Sequence, residues 1–406
     1  MTEVVNGVRL GVAQAGIKRV GHDDTTVIAL DSGTRVSAVF TQNAFRAAPV
    51  LVAEAHIETV CEQQPVLEQA QGVRYLLINT GNANAGTGTA GLEHARASCS
   101  ALADLAGCDA EAVLPFSTGV IGEPLPIVRL IAALPEALED LRVDGWSRAA
   151  AAILTTDTRA KCRSQRVALS TGCCVITGMA KGAGMICPNM ATMLAFIATD
   201  AQISQSQLDD CFKRAIAASF NRISVDGDTS TNDAAVLCAT GLGPAVSEQC
   251  AEDLALFEAA LTTLCIELAQ DIVRDGEGAT KFVTVAVSGG LNTQECDQVG
   301  YTIAHSPLVK TALFASDPNW GRLLAAIGRA GLTDLNVAAV SVRINDVLIA
   351  ENGARAAQYT EADGVAAMAP SELTIAIDLG RGEAQATIWT TDLSYDYVKI
   401  NAEYRT

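Results

Sequence analysis

The chain has 406 residues, 49% hydrophobic and 18% charged, with a formal net charge of −18. That size and apolar content exclude a disordered or fibrous chain and exceed what a single typical core requires. The negative balance argues against nucleic acid or an anionic membrane surface as the main partner, while a small substrate stays open because a local site can oppose the global sign. The twelve cysteines are scattered without a C-x-x-C pair, and none of the four histidines (His22, His56, His94, His305) stands at metal-ligand spacing. No disulfide framework and no zinc site are expected, and a reducing compartment is. The N-terminal Met-Thr-Glu-Val-Val-Asn-Gly-Val is neither a signal nor a transit peptide, and no apolar run reaches membrane-spanning length. A cytoplasmic location is expected.

In chain order, β-branched runs bordered by turn residues predict strands at 26–30, 37–41, 75–79, 113–117, 174–179, 192–198, 282–287, 338–344 and 374–377. Apolar residues at helical spacing predict helices at 92–105, 127–137, 205–220, 251–272 and 308–314. The stripe Leu208, Cys211, Phe212, Ile216 and Phe220 reads as core packing. No low-complexity linker and no internal repeat divides the chain. Strands come in clusters with long single helices between them. This favours an α/β (α+β) chain with sheets packed on sheets and helices outside, rather than a strictly alternating parallel sheet.

The most informative stretch is Met179-Ala-Lys-Gly-Ala-Gly-Met-Ile-Cys-Pro-Asn-Met-Ala-Thr-Met-Leu194. A hydroxyl residue, Thr192, opens an apolar run after small residues and a Pro-Asn turn. A threonine there can attack the Ala191–Thr192 peptide bond, and cleavage would give one residue both a nucleophile and a free amine as its base. The amine's unperturbed pKa of about 7.7–8.0 suits that task. The bland alternative is a Gly-rich turn entering an ordinary strand.

Other segments leave alternatives open. Gly86-Thr-Gly-Thr-Ala-Gly91 matches a dinucleotide fingerprint between a strand and a helix. However, several residues separate it from its strand, and the next strand does not end in the acid that would hold a ribose. Phe116-Ser-Thr-Gly-Val-Ile-Gly122 sets the Thr118 hydroxyl beside the Gly119 N–H, which suits an oxyanion or a plain turn. Asp226-Gly-Asp-Thr-Ser-Thr-Asn-Asp233 fails the calcium-loop template at its sixth and twelfth positions and reads as a turn capping the next helix. Glu277, between two glycines, is either a cleft carboxylate or a solvated turn acid.

Together these segments resemble the ornithine acetyltransferase (glutamate N-acetyltransferase) family of arginine biosynthesis. The resemblance runs through Ala38-Val-Phe-Thr-Gln-Asn-Ala44, Asn79-Thr-Gly-Asn-Ala-Asn-Ala-Gly86, Thr155-Thr-Asp-Thr158, Lys181-Gly-Ala-Gly-Met and Pro188-Asn-Met-Ala-Thr-Met-Leu194. It continues through 226–233, Asp275-Gly-Glu-Gly-Ala-Thr-Lys281, Asp317-Pro-Asn-Trp-Gly-Arg322 and Asn401-Ala-Glu-Tyr-Arg-Thr406, in order along essentially the whole chain. It implies an Ntn-hydrolase-like αββα sandwich followed by a smaller C-terminal α/β region from about 285 onward. It also implies self-cleavage between Ala191 and Thr192 into chains 1–191 and 192–406, assembled as a heterotetramer of two of each. Thr192 would be the nucleophile, with Thr118 and Gly119 as the oxyanion hole. Substrate contacts would come from Thr155 or Thr156, Lys181, Thr192, Glu277, Asn401 and Thr406.

The implied reaction moves acetyl from N-acetylornithine to glutamate with no cofactor and no metal; whether acetyl-CoA also serves as donor is left open. An Ntn-like aminopeptidase or amidase, a nucleotide-binding protein using Gly86–Gly91, and a non-catalytic binding protein that retains the fold are the alternatives. The departures from the family pattern, Arg159-Ala160, the basic Cys162-Arg-Ser-Gln-Arg166 and Cys187, touch none of these groups and bear only on Thr155 against Thr156.

Overall fold

The computed structural model describes residues 2–63, 72–187, 193–246 and 250–403. Three expected site residues, Ala191, Thr192 and Thr406, lie outside them. The described residues divide into two compact units, one within 1–182, 189–221 and 229–269, the other within 183–188, 222–228 and 270–406.

The strands preceding the chain's midpoint are β1 (Val8–Ala13), β2 (Thr25–Leu30), β3 (Arg35–Phe40), β4 (Tyr75–Asn82), β5 (Val113–Val120), β6 (Lys161–Leu169), β7 (Gly172–Lys181) and β8 (Leu194–Thr199). The short β9 (Ile223–Ser224) belongs to the second unit, and β10 (Ala234–Ala239) returns to the first. The helices up to that point and just beyond are α1 (Ala48–Gln63), α2 (Gly88–Ala106), α3 (Ile127–Glu139), α4 (Trp146–Ala152), α5 (Gln205–Ala218) and α6 (Ala251–Arg274).

In the first unit two sheets form, ordered β1-β2-β4-β5 and β3-β10-β8-β7-β6. Period-two alternation decides what each face buries. Leu10, Ile28, Ile78 and Phe116 of the first sheet share a core with Met179, Leu194, Phe196 and Val236 of the second. Phe116 and Phe196 meet edge to face at 5.0 Å between ring centroids. The alternate residues Val27, Leu77 and Val113 pack outward on Leu102 of α2 and Leu134 of α3. On the far face of the second sheet a Cβ at Gly178 would press on Leu264 and Leu268 of α6, so glycine lets helix and sheet approach. Helix, sheet, sheet and helix thus stack in the expected αββα order. Both faces of these strands are buried, which is why β2, β8 and β10 read as unbroken apolar runs.

The second unit adds β11 (Phe282–Gly290), β12 (Ser341–Ile344), β13 (Val347–Glu351), β14 (Ala354–Arg355), β15 (Glu372–Asp378) and β16 (Ala384–Thr391). Its helices are α7 (Thr293–Ala304), α8 (Pro307–Phe314), α9 (Trp320–Gly328), α10 (Glu361–Met368) and α11 (Tyr395–Ala402). One mixed sheet, β14-β13-β12-β15-β11-β16-β9, buries Val283, Val285, Ile375 and Ile388 against Val299 and Ile303 of α7 and Leu323 and Ile327 of α9.

Some expectations change here. The smaller unit begins at Gln270, inside α6, and takes in 183–187 and 222–228, rather than starting near 285. The predicted strand 338–344 is shorter: Asn336 accepts from the Ala338 N–H and winds Val337–Ala339 into a 3₁₀ turn before β12. The turn 226–233 caps no helix, because the chain enters β10 directly. β7 and β8, on either side of the expected cleavage bond, pair antiparallel in one sheet. Among the described residues no helix is long and apolar enough to cross a membrane, and no group of three or more His, Cys, Asp or Glu could hold a metal ion. No disulfide joins any cysteines among the described residues.

Candidate active site

The expected site residues that are described fall into two groups, one in each unit. In the first unit, Thr118 and Gly119 stand at the end of β5, which pairs parallel with β4. The register shifts at Gly81 and Asn82, directly across from them. Gly119 has φ +136°, and a Cβ there would come within 2.5 Å of Asn82 N, so only glycine fits without moving the neighbouring strand. A belt of amides fixes this end. Asn79 accepts from Ser117 Oγ at 2.6 Å and donates to the Asn82 carbonyl at 2.9 Å. Asn232 donates to the Ser117 and Ala83 carbonyls at 2.9 and 2.7 Å. Pairing the backbone groups of an irregular strand end this way removes the cost of burying them unsatisfied.

Lys181 closes β7 and is 3% exposed. Its Nζ donates to Thr118 Oγ1 at 3.1 Å and to Thr155 Oγ1 at 2.8 Å. Of the two candidate threonines, Thr155 therefore carries the bond to Lys181. Lys181 pairs across the sheet with Leu194, two residues past Thr192 in sequence. The structure thus brings Thr118, Gly119 and Lys181, on strand ends, together with Thr155 in the loop before β6, beside Leu194 of β8.

Three charged residues that were not singled out in the sequence share this neighbourhood. Asp157, with a fully buried side chain, accepts from Lys161 Nζ at 2.7 Å and from the Gly182 N–H at 2.6 Å. It lies 3.9 Å from Lys181 Nζ. Burial pushes its carboxyl up, but the Lys181 and Lys161 charges outweigh that and hold it below the ordinary carboxylate range. Asp233, fully buried just before β10, accepts from the Met193 N–H at 3.0 Å. Its second oxygen has no hydrogen-bond partner among the described residues. Burial raises this carboxyl well above its usual value, against the Met193 N–H and the Lys181 charge. The available signals were Asp157 inside the Thr-Thr-Asp-Thr motif, Lys161 four residues on, and Asp233 ending the 226–233 run.

In the second unit, Glu277 is 9% exposed and its N–H donates to the Ala183 carbonyl at 2.8 Å. Asn401 of α11 donates to Glu277 Oε2 at 2.8 Å. A Cβ at Gly184 would lie 2.5 Å from the Glu277 carboxyl carbon, so the glycine leaves room for that carboxylate. Asp226 accepts from the Met185 and Ile186 N–H groups at 2.6 and 3.0 Å, and Met185 adopts φ +56°. Asp226 thus holds the loop at Met185 and Ile186. The Gly86–Gly91 motif is built into structure: Asn84 accepts from Thr87 Oγ1 and donates to the Gly91 carbonyl, both at 2.9 Å, beneath the start of α2.

A model of the ArgJ family matches residues 9–406. The chain is 56% identical over 407 aligned residues to the arginine biosynthesis bifunctional protein ArgJ of Pseudomonas syringae pv. tomato, covering 99% of this chain and 97% of that one. It is 54% identical over 403 residues to the protein of the same name from Methylococcus capsulatus, covering 99% and 96%. A solved structure of the arginine biosynthesis bifunctional protein argJ from Bacillus halodurans aligns at 38% identity and a TM-score of 0.47, covering 50% of this chain and 95% of that one. The chain belongs to the ArgJ family.

Proposed function

We propose that this ArgJ-family chain is a self-cleaving acyltransferase of arginine biosynthesis that moves the acetyl group of N2-acetyl-L-ornithine to L-glutamate. The observation that carries the reading is the Lys181–Thr118–Thr155 cluster, held against the strand that follows Thr192, in a chain matching the family over residues 9–406. After cleavage at Ala191–Thr192, the Thr192 amine takes the proton of its own hydroxyl, and Oγ attacks the acetyl carbonyl. The Gly119 N–H and Thr118 hydroxyl stabilise the developing oxyanion. Ornithine leaves, an acetyl-threonine ester remains, and the glutamate amine then takes the acetyl group.

Lys181 favours an anionic substrate group, Glu277 an ammonium, and Asn401 steadies Glu277 through the 2.8 Å bond. Thr406 completes the substrate contacts. The reaction needs no cofactor and no metal, and acetyl-CoA is a candidate second donor. The enzyme works in the cytoplasm as a heterotetramer of two cleaved pairs.

The test is transfer from acetyl-labelled acetylornithine in the presence of glutamate. Labelled N-acetylglutamate with ping-pong kinetics supports the reading. Release of free acetate, indifferent to glutamate, would make the protein an amidase instead.

A further inference from the structure

The segment 230–234 leads into β10 of the second sheet and also bonds to the first. Asn232 is 6% exposed, and every polar atom of its side chain is used. The amide nitrogen donates to the Ala83 and Ser117 carbonyls at 2.7 and 2.9 Å, and Oδ1 accepts from Thr231 Oγ1 at 2.6 Å. Turned over, the amide would set its oxygen against two carbonyls, so one orientation alone satisfies all three contacts.

The two carbonyls bracket Thr118 and Gly119. The Ser117 carbonyl belongs to the peptide bond that enters Thr118. The Ala83 N–H donates to the carbonyl of Val120, the residue after Gly119, at 2.9 Å. Asn232 therefore anchors the chain directly before Thr118 and, through Ala83, directly after Gly119. The β4–β5 register shifts at this point, so a regular ladder does not set the orientation of these two residues. The next residue, Asp233, holds the second sheet. Its carboxyl accepts from the Met193 N–H at 3.0 Å, and the Ala234 N–H donates to the Met193 carbonyl at 3.2 Å. Thr41 fixes the segment itself, with its N–H on the Asp233 carbonyl at 2.9 Å and its hydroxyl on the Ser230 carbonyl at 2.8 Å.

Resting on the acyl-transfer reading, we propose that Asn232 is a positioning residue that fixes the Thr118 hydroxyl and the Gly119 N–H relative to the start of β8. Asn232 grips the oxyanion end of the first sheet, and its covalent neighbour grips Met193, the residue after the expected nucleophile. The spacing between the two is set by one peptide link as well as by the packing of the sheets. Asn232 touches no reacting atom and acts through Ser117 and Ala83. Asparagine suits the task because its short side chain offers two donors and an acceptor, whereas an ionised aspartate only accepts.

The test is Asn232→Ala beside the isosteric Asn232→Asp, with acetyl transfer normalised to folded, cleaved protein. Loss of about 1 Å of placement predicts a fall of about 10²-fold in kcat for Asn232→Ala, with KM for acetylornithine within about twofold. Asn232→Asp keeps the shape, loses both donors and should fall at least as far. N-thioacetylornithine supplies a readout that a merely structural bond would not move. Sulfur is a weak acceptor, so aligned oxyanion donors favour the acetyl over the thioacetyl substrate, and that preference should shrink in both variants. In a Thr118→Ala background the Asn232→Ala loss should be much smaller than in wild type, because both act through one set of donors. If Asn232→Ala does not accumulate as folded protein, Asn232→Ser keeps one donor and should show the same pattern with a smaller loss.

An unchanged kcat, an unchanged acetyl preference, or losses that multiply in full with Thr118→Ala overturn the proposal. A wild type that transfers no acetyl group sinks the functional reading separately. The clamp is then read from amide hydrogen exchange in the uncut Thr192→Ala background. Peptides spanning 116–122 should exchange about tenfold faster or more in Asn232→Ala while those of β1 and β6 stay unchanged, and the absence of that local acceleration refutes it.

Discussion

Replacing Gly119 by alanine probes the proposed oxyanion end of β5 through both stability and rate. Gly119 sits at φ +136°, where an L side chain is strained. The new Cβ would lie 2.5 Å from Asn82 N and 2.7 Å from Gly81 Cα, both backbone atoms of the paired strand. Backbone cannot swing aside as a flexible side chain can, so reaching ordinary contact at 3.4 Å moves the strand end by about 1 Å. The dihedral strain costs about 1–3 kcal/mol and the overpacking a similar amount, so a loss of about 2–6 kcal/mol is expected. A shift of about 1 Å in a group that positions reacting atoms costs about 10²-fold in rate. The stability change is read from the thermal midpoint in the uncut Thr192→Ala background, so that cleavage does not confound it. The rate is read from N-acetylglutamate formation, normalised to cleaved protein. An unchanged midpoint together with a kcat within twofold of wild type would refute the placement of Gly119 against β4.

Three further outcomes are expected. Thr118→Ala should fold and bind substrate but lose about 10²–10³ in kcat, the usual cost of one oxyanion donor, with slow maturation alongside; wild-type kcat would move the oxyanion hole elsewhere. Deleting 401–406 removes the donor to Glu277 and should raise KM for acetylornithine about tenfold while leaving the melting temperature within about 2 °C and Ala191–Thr192 cleavage intact; wild-type kinetics would remove Asn401 and Thr406 from the substrate contacts. Asp233→Asn, compared with Asp233 in the Thr192→Ala background, should alter the pH dependence of stability. The native Asp233 carboxyl is raised, so the native state binds more protons, and its contribution is fully present at low pH and lost as pH rises from about 4 through the raised native value. The asparagine variant should lack that decline, and parallel melting profiles across pH 4–8 would contradict it.

The fold was legible where apolar runs are buried on both faces. β2, β8 and β10 are wholly buried, and two of the three were predicted. β10, the run Ala-Ala-Val-Leu-Cys-Ala, was missed because alanine carries little strand preference, and its identity comes from pairing with β3 and β8. β6 was missed because Lys161, Arg163 and Arg166 break its apolar pattern; Lys161 is nevertheless buried by its ion pair with Asp157. α1 was missed although its sixteen residues are mostly apolar, because its apolar residues do not gather on one face.

Within the candidate site, Thr118 and Glu277 were singled out from their local motifs and Lys181 from the family resemblance. Asp157, Asp233 and Asn232 were not, because their roles depend on partners 25, 40 and 115 positions away. A buried carboxylate cannot be told from a solvated turn acid until those partners are in place.

The most direct measurement is N-terminal sequencing and intact mass of freshly purified active protein. The account predicts two fragments, of 191 and 215 residues, the larger beginning Thr-Met-Leu-Ala. It also predicts that Thr192→Ala yields only the uncut chain and no acetyl transfer. A single intact chain of 406 residues that transfers acetyl at the wild-type rate would contradict it.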